Sequence, residues 1–379
     1  MCGICGALNI GAKRTTEDDV RAMTAMLSHR GPDAARVVSD GHVILGHARL
    51  SIIDLSGGGQ PMASHDRRYW IVFNGEIFNY LELRTELEGL GYTFVTRSDT
   101  EVIIEAYRAW GGSCFRRFNG QWGVAIWDRA EGTVTIARDR VGIRPLYYCR
   151  IGTSILFSSE IKSLFAHPRV QRGLSPSGLA QAFTFWSPVA PRTAFEGIEQ
   201  LPPGTYMAVR LENGSVNTER YWEPTFGTDE TVRSGSLDEN AARLRDLIVE
   251  AARLRFDRSD VPVGAYLSGG IDSTVTTAVL ARYTDAPLKT FSVAFSDGEF
   301  DESGGFGEGF ADDEVAGEAE GGDDGGADEG EEGEPESFVS AAGEVSADDD
   351  AEAHADGGGG DERAGDFGGF DVGDALGGA

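Results

Sequence analysis

Met1-Cys2-Gly3-Ile4-Cys5-Gly6-Ala7-Leu8-Asn9-Ile10 opens the chain, and the reading of its second residue decides the fold. A side chain as small as cysteine at position 2 permits removal of the initiator methionine. The α-amino group this exposes has an ordinary pKa of about 7.7–8.0. It can act as the general base for its own thiol, directly or through one water, so no histidine partner is required. Two other readings of Cys2 stand beside this one: a buried structural thiol, or half of a Cys-x-x-Cys redox or zinc pair with Cys5. A zinc site needs two further ligands at suitable spacing, and the sequence offers none. Cys5 itself reads as a small strand residue.

Outward from this start, short β-rich runs alternate with a few amphipathic helices up to about residue 215. Cys5–Ile10, Val43–Leu45, Tyr69–Phe73, Gly123–Trp127, Thr133–Ala137 and Ile155–Phe157 read as strands bounded by Gly, Asp and Asn. Tyr80, Leu83, Leu87 and Leu90 line one helical face that Gly91 can end. Val102, Ile103, Ala106, Tyr107 and Trp110 line a second, stopped by Gly111-Gly112. Many strands with few helices predict a layered α+β domain, not a doubly wound parallel sheet. A polar, turn-rich stretch follows, and at Ser236-Leu237-Asp238-Glu239 a capping box opens a helix with Leu244, Leu247, Ile248, Ala251 and Leu254 on one face. The order strand (Val263–Leu267), glycine loop, helix (Thr274–Tyr283), strand (Lys289–Phe295) is the beginning of an α/β nucleotide-binding domain. The expected boundaries are 2–215 for the first domain, 216–240 for a linker, 241–303 for an incomplete second domain and 304–379 for a tail.

That tail carries most of the charge. The 379 residues have a formal charge of −29, but residues 301–379 hold 27 of the 62 acids and one of the 33 bases, Arg363. Residues 1–300 keep 35 acids against 32 bases, a charge of −3, so the body is an ordinary near-neutral protein. With no basic stripe, nucleic acid is excluded as a partner. The tail also has 22 glycines, and its few apolar residues keep no period. Burial there cannot offset the entropy of ordering, and disorder is expected. No apolar run is long enough to span a membrane, no signal peptide is apparent, and four cysteines are too few for a disulfide framework. A reducing cytoplasm is the expected compartment.

An amide hydrolase needs donors for a tetrahedral oxyanion and groups for the substrate's α-amino and α-carboxylate. Asn74-Gly75-Glu76, between a strand and a helix, offers a side-chain amide, a closely approaching backbone N–H and a carboxylate. Arg49, at the head of Arg49-Leu50-Ser51-Ile52-Ile53-Asp54, offers a fork for a carboxylate. Asp99 can hold an ammonium, or simply cap its helix.

Cys2-Gly3-Ile4-x-Gly6, His29-Arg30-Gly31-Pro32-Asp33, Arg49–Asp54, Asn74–Tyr80, Ser98-Asp99-Thr100-Glu101 and Arg138-Asp139-Arg140-x-Gly142-x-x-Pro145-Leu146-Tyr147-Tyr148 resemble the class II glutamine amidotransferases. Ser159-Glu160-Ile161-Lys162 and Leu201-Pro202-Pro203-Gly204 narrow the resemblance to the glutamine-hydrolysing asparagine synthetases. The resemblance implies an N-terminal-nucleophile (αββα) fold for residues 2–215, with Cys2 as nucleophile and Asn74 and Gly75 as the oxyanion hole. By the same matching, Arg49, Glu76 and Asp99 bind glutamine, assisted by the backbone of Leu50, Ser51, Ile52 and Ile53 and by Asn74 and Gly75. Glutamate and ammonia would form through a γ-glutamyl thioester.

Ser268-Gly269-Gly270-Ile271-Asp272-Ser273 lies between an apolar strand and a helix, where glycines and a helix N-terminus favour a phosphate. Lacking Gly-Lys-Ser/Thr, it is not a Walker A loop, and a plain tight turn is the other reading. Preceded by Asp260-Val261-Pro262-Val263-Gly264, it resembles the pyrophosphate loop of the same synthetases. That implies an ATP site bordered by Leu267 and Val293 with Ser268–Ser273 around the pyrophosphate, and Mg-ATP, aspartate and tunnelled ammonia as co-reactants. No metal ligands are assigned, and a homodimer is compatible with the resemblance. After Phe300-Asp301-Glu302-Ser303 the family pattern gives way to the acidic tail. A frameshifted or fragmentary gene is the preferred account, and this polypeptide is expected not to form asparagine by itself. A β-lactam synthetase-like relative shares the architecture but often lacks the N-terminal cysteine. A non-catalytic truncated product is the alternative from another class.

Overall fold

The computed structural model describes residues 2–11, 14–226, 235–268, 270–284, 287–294 and 339–345, the last stretch and 293–294 as backbone. Two six-stranded sheets form the first part. One contains β1 (Gly3–Asn9), β2 (Ala34–Asp40), β3 (Val43–Arg49), β8 (Tyr147–Ile151), β9 (Ser154–Ser158) and β10 (Ile198–Gln200), in the order β10-β8-β9-β1-β3-β2. The other contains β4 (Met62–Ala63), β5 (Tyr69–Ile77), β6 (Gly120–Asp128), β7 (Thr133–Arg138), β11 (Thr205–Arg210) and β12 (Val216–Arg220), in the order β12-β11-β7-β6-β5-β4. Their pairings are antiparallel throughout, with Gly3 opposite Ala48, Cys5 opposite Ser158 and Gly75 opposite Trp122.

The alternation along each strand explains the layering. Ile4, Leu8, Leu45 and Phe157 of the first sheet meet Val72, Ala125, Ile136 and Met207 of the second in one core between the sheets. The opposite face of the first sheet, with Cys5, Ala7, Ile44 and Leu156, is covered by Val20, Met23 and Leu27 from α1 (Glu17–Ala25) and the turn after it, and by Leu164 of α4 (Ile161–Leu164), which α5 (Pro176–Phe185) follows in the chain. The outer face of the second, with Ile71, Phe73, Val124 and Ile126, is covered by Leu83 and Leu87 of α2 (Tyr80–Gly89) and by Val102, Ile103 and Ala106 of α3 (Asp99–Trp110). Helix, sheet, sheet, helix: the expected αββα N-terminal-nucleophile architecture is present. Cys5 is the small strand residue anticipated. It is wholly buried under α1, and burial pushes its thiol up to about 12, while Thr24 Oγ1 lies 3.2 Å from its sulfur. Among the described residues no group of three or more His, Cys, Asp or Glu side chains gathers as a metal site.

By packing, Met1–Ser234 with Arg258–Val261 make one unit, and Gly235–Asp257 with Pro262–Ala379 a second. The first domain therefore runs past the expected limit of 215. β12 completes the second sheet, and Tyr221 is 2% exposed, stacked on Trp122 with its hydroxyl donating to the Arg138 carbonyl at 2.7 Å. A polar, exposed edge strand such as β12 reads as linker because only its backbone is used.

In the second unit, α6 (Leu237–Asp257) starts at the predicted capping box: the Ser236 N–H donates to Glu239 and the Glu239 N–H to Ser236 Oγ, at 2.8 and 3.2 Å. Its expected apolar face is not the buried one. Leu244 and Leu247 are more than half exposed, while Ala252 and Phe256 pack with Ala265, Leu280 and Leu288. A helical stripe is buried only where a surface meets it, and the described residues of this unit offer one small sheet. In that sheet β13 (Ala265–Tyr266) pairs in parallel with β14 (Leu288–Ala294), across the helix α7 (Ile271–Ala281). β13 is shorter than the predicted Val263–Leu267. The tail is not featureless: β15 (Val339–Val345) pairs antiparallel with β14. Val339-Ser340-Ala341-Ala342-Gly343-Glu344-Val345 holds one acid in seven residues, and pairing with an edge needs only backbone donors and acceptors. The rest of the predicted disordered tail lies outside the described residues.

Candidate active site

One pocket of the first unit gathers most of the residues singled out from sequence. Cys2, Arg49, Leu50, Ile52, Ile53, Asn74, Gly75, Glu76 and Asp99 all line it. Cys2 stands just before β1. Its thiol donates to the Leu50 carbonyl and its sulfur accepts from the Leu50 N–H, each at 3.4 Å. Burial raises the thiol's pKa above the ordinary value and the Asp99 charge adds to this, while the Leu50 bond and the Arg49 charge pull it down. The thiol is therefore neutral near pH 7, and a base is needed to activate it. The Cys2 carbonyl accepts from Arg30 Nε at 2.9 Å, and Arg30 Nη1 reaches Glu160 at 2.9 Å. This guanidinium fixes the backbone that carries the sulfur.

Asn74 and Gly75 sit near the end of β5, facing β6. Asn74 is fully buried. Its Nδ2 donates to Ser159 Oγ at 3.5 Å, whereas its Oδ1 has no hydrogen-bond partner among the described residues. Ser159 Oγ also accepts from the Ile4 N–H at 3.0 Å, and the Ser159 N–H donates to the Ile4 carbonyl at 2.8 Å, so one serine ties Asn74 to the strand behind Cys2. Gly75 has φ +151°, and a Cβ there would lie 2.1 Å from the Gln121 carbonyl oxygen and 2.6 Å from Trp122 Cα. Only glycine permits so close a strand pairing.

Arg49 closes β3. Its Nη2 and Nη1 donate to the carbonyls of Asp54 and Leu55 at 2.7 and 3.1 Å, and no carboxylate of the described residues forms an ion pair with it. Asp99 begins α3 and is 4% exposed. It accepts from the Ile77 N–H at 3.2 Å and the Ser98 hydroxyl at 3.4 Å, and burial outweighs these bonds, pushing it up to about 6. The cap of α3 is Ser98, whose Oγ accepts from the Thr100 N–H at 3.1 Å, and not Asp99. The pocket thus holds a buried carboxyl and a guanidinium that makes no direct ion pair among the described residues, although the Asp54 carboxylate lies in its field.

Ser51 does not line the pocket: its N–H is used by Asp33, at 2.7 Å. The pocket includes residues that sequence reasoning missed, among them Gln60, Ser98, Thr100 and Arg144. Gln60 accepts from the Phe73 N–H at 2.6 Å and donates to Thr100 Oγ1 at 3.3 Å, joining β5 to α3 beneath the pocket. Arg144 sits in the Arg138–Tyr148 motif, where its N–H donates to Asp139 Oδ2 at 2.9 Å.

In the second unit, Leu267, Ser268, Gly270, Ile271, Asp272 and Ser273 form the turn from β13 into α7, and Gly269 lies outside the described residues. The Leu267 N–H donates to Phe291 at 2.9 Å, and the Ser268 N–H to Ser273 Oγ at 3.1 Å. Gly270 caps α7 with no side-chain bond, which leaves the helix's first N–H groups without a side-chain cap. Val293 lies on the neighbouring strand β14, described as backbone. This strand–turn–helix fits an anion such as pyrophosphate.

Residues 1–222 match the family model described as a glutamine amidotransferase domain. The chain belongs to the glutamine amidotransferase domain family. Beyond that domain, residues 243–308 match the family described as asparagine synthase. The amidotransferase and the residues after it are 38% identical over 306 residues to asparagine synthetase [glutamine-hydrolyzing] 1 of Bacillus subtilis, covering 80% of this chain and 47% of that protein. They are 32% identical over 330 residues to a putative asparagine synthetase [glutamine-hydrolyzing] 2 of Methanocaldococcus jannaschii, covering 80% of this chain and 61% of that one. A third relative, amidase chry2 of Gibberella zeae, is 34% identical over 297 residues, covering 74% and 43%. The chain spans about half the length of the curated relatives it matches.

Proposed function

We propose that the first unit hydrolyses glutamine to glutamate and ammonia at Cys2, as the glutaminase half of a glutamine-hydrolysing asparagine synthetase. The observation that carries this reading is one pocket holding a thiol, an amide with an unmet buried acceptor, a guanidinium hydrogen-bonded only to backbone carbonyls and a buried carboxylate. A free amino acid with a side-chain amide complements all four. Arg49 takes the α-carboxylate, and Asp99 with Glu76 takes the α-ammonium. The Cys2 amine, free once Met1 is removed, accepts the thiol proton as sulfur attacks the carbonyl carbon of the side-chain amide. The oxyanion is stabilised by Asn74 Nδ2 and the Gly75 N–H. Collapse of the tetrahedral adduct breaks the C–N bond, and the proton held by the amine leaves with ammonia. Water then attacks the γ-glutamyl thioester through the same base, and the thiol is regenerated.

For the longer enzyme we propose that this ammonia amidates aspartate activated by ATP, with the Ser268–Ser273 turn holding the pyrophosphate. The match over residues 243–308 and the uncapped start of α7 support that reading. Magnesium would accompany ATP as part of the substrate. A cytoplasmic location and a homodimer belong to the same proposal. Among the described residues no helix is long and apolar enough to cross a membrane.

The test combines two measurements on the purified chain. The N-terminal mass should show Cys2 as the first residue, and glutamate should form from glutamine without ATP or aspartate, since every proposed glutaminase group lies in one unit. Processed protein that releases no glutamate would refute the glutaminase reading.

A further inference from the structure

Arg258–Val261 belong by packing to the amidotransferase unit, although α6 before them and β13 after them do not. Their bonds reach both segments that flank the pocket. The Asp260 N–H donates to the Ile52 carbonyl at 3.2 Å, and Asp260 Oδ2 accepts from the Asp54 N–H at 2.8 Å. Arg258 Nε donates to the Phe78 carbonyl at 3.1 Å, and Nη2 to Glu82 at 2.5 Å. Ile52 and Ile53 line the pocket, and Phe78 follows Asn74–Ile77 directly.

The Asp54 turn is one that needs holding. Asp54 has φ +46°, a left-handed conformation unfavourable for a residue with a Cβ. Its carboxylate accepts from the Gly57 and Arg97 N–H groups at 2.7 and 2.8 Å, so it joins the turn to the segment that leads into Asp99. Its carbonyl accepts from Arg49 Nη2 and the Gly58 N–H, at 2.7 and 2.9 Å. The remaining backbone group, the Asp54 N–H, goes to Asp260. Asp54 thus orients Arg49, and Asp260 holds Asp54, from 206 residues away in the chain.

We infer that Asp260 is a positioning residue for glutamine binding: it fixes the Ile52–Gly58 turn and, through Asp54, the direction of Arg49. The inference rests on the glutaminase reading. It makes the amino-acid end of the pocket depend on a side chain lying beyond the 1–222 domain match. Asn74 and Gly75 are set on β5, and Cys2, just before β1, is held through its carbonyl by Arg30 and meets Leu50, ahead of the turn that Asp260 holds. Losing Asp260 therefore weakens ground-state binding far more than the chemical step.

The experiment compares Asp260→Ala and Asp260→Asn with the wild type, all as the full chain. Asp260→Ala should raise KM for glutamine about tenfold with kcat within about threefold. Asp260→Asn should return KM to within about threefold of wild type, because its amide oxygen still accepts from the Asp54 N–H. Amide hydrogen exchange should quicken at residues 52–58 in the alanine variant and not in the asparagine variant. Wild-type KM and exchange in Asp260→Ala would overturn the inference, as would a fall in kcat with KM unchanged. So would an asparagine variant no better than alanine in a normally folded protein. If the wild type releases no glutamate, the glutaminase reading fails, and exchange alone decides whether Asp260 holds the turn.

Discussion

Asn74 is the residue on which the proposed chemistry weighs most. Its amide is buried, and Nδ2 gives one of its two N–H groups to Ser159, which leaves the second to donate to an oxyanion. An oxyanion-hole donor is worth about 3–4 kcal/mol. Asn74→Ala should therefore lower kcat about 100- to 1000-fold while moving KM little, as steady-state glutamate release will show. Asp99 gives a second prediction. Burial pushes it up to about 6, and only its ionised form can hold an ammonium. As pH falls through about 6 the carboxyl takes a proton in the free enzyme, so kcat/KM for glutamine should drop there more steeply than protonation of the Cys2 amine alone requires. A pH profile of kcat/KM checks this, and Asp99→Asn should flatten the extra slope while lowering the plateau. For stability the sign is opposite to that of a salt-bridged carboxylate: a carboxyl raised by burial favours the folded state at low pH and loses that advantage as pH climbs toward about 6. That Cys2, Arg49, Asn74, Glu76 and Asp99 share one pocket was legible because each carries a chemistry the proposed reaction needs within a quotable motif. Gln60 was not, since Gly57-Gly58-Gly59-Gln60-Pro61 reads as a turn and its partners, Phe73 and Thr100, are remote in sequence.

At the level of elements, the start of α3 joins stability to the pocket. Ser98 is buried, caps the helix through the Thr100 N–H and donates to Asp99. Ser98→Ala should cost about 1 kcal/mol, the worth of an N-cap, read as a lower midpoint in urea unfolding. A rise in KM should accompany it, because Asp99 loses a bond that favours its charged form. The strands β1, β3, β5, β6, β7 and β9 were visible in sequence because their runs are apolar on one or both faces. β2 and β12 were not, being edge strands with exposed side chains such as Ala34, Ala35 and Arg36 or Asn217, Thr218 and Glu219. For such strands the backbone ladder is most of the contribution, with Val37 and Val216 alone leaning on the cores, and side-chain pattern carries little signal. The same reasoning accounts for β15 inside a segment whose composition alone pointed to disorder.

Taken as a whole molecule, the layered fold followed from strand alternation, but the unit boundary did not. Sequence placed the linker at 216–240, whereas packing keeps Tyr221 in the first core and returns Arg258–Val261 to the first unit. A linear reading finds segments; it does not find a chain that comes back. Nor does amphipathicity name the buried face of α6, because burial depends on what surface the fold presents there. The position of Cys2 has a practical consequence. With β1 beginning at the next residue and Arg30 gripping the Cys2 carbonyl, a peptide fused upstream would leave the sulfur in place and the pocket intact. It would also turn the amine proposed as general base into an amide, which cannot take a proton. On the proposed mechanism a purification tag on that end would yield folded protein that releases no glutamate, so an affinity handle belongs at the other terminus.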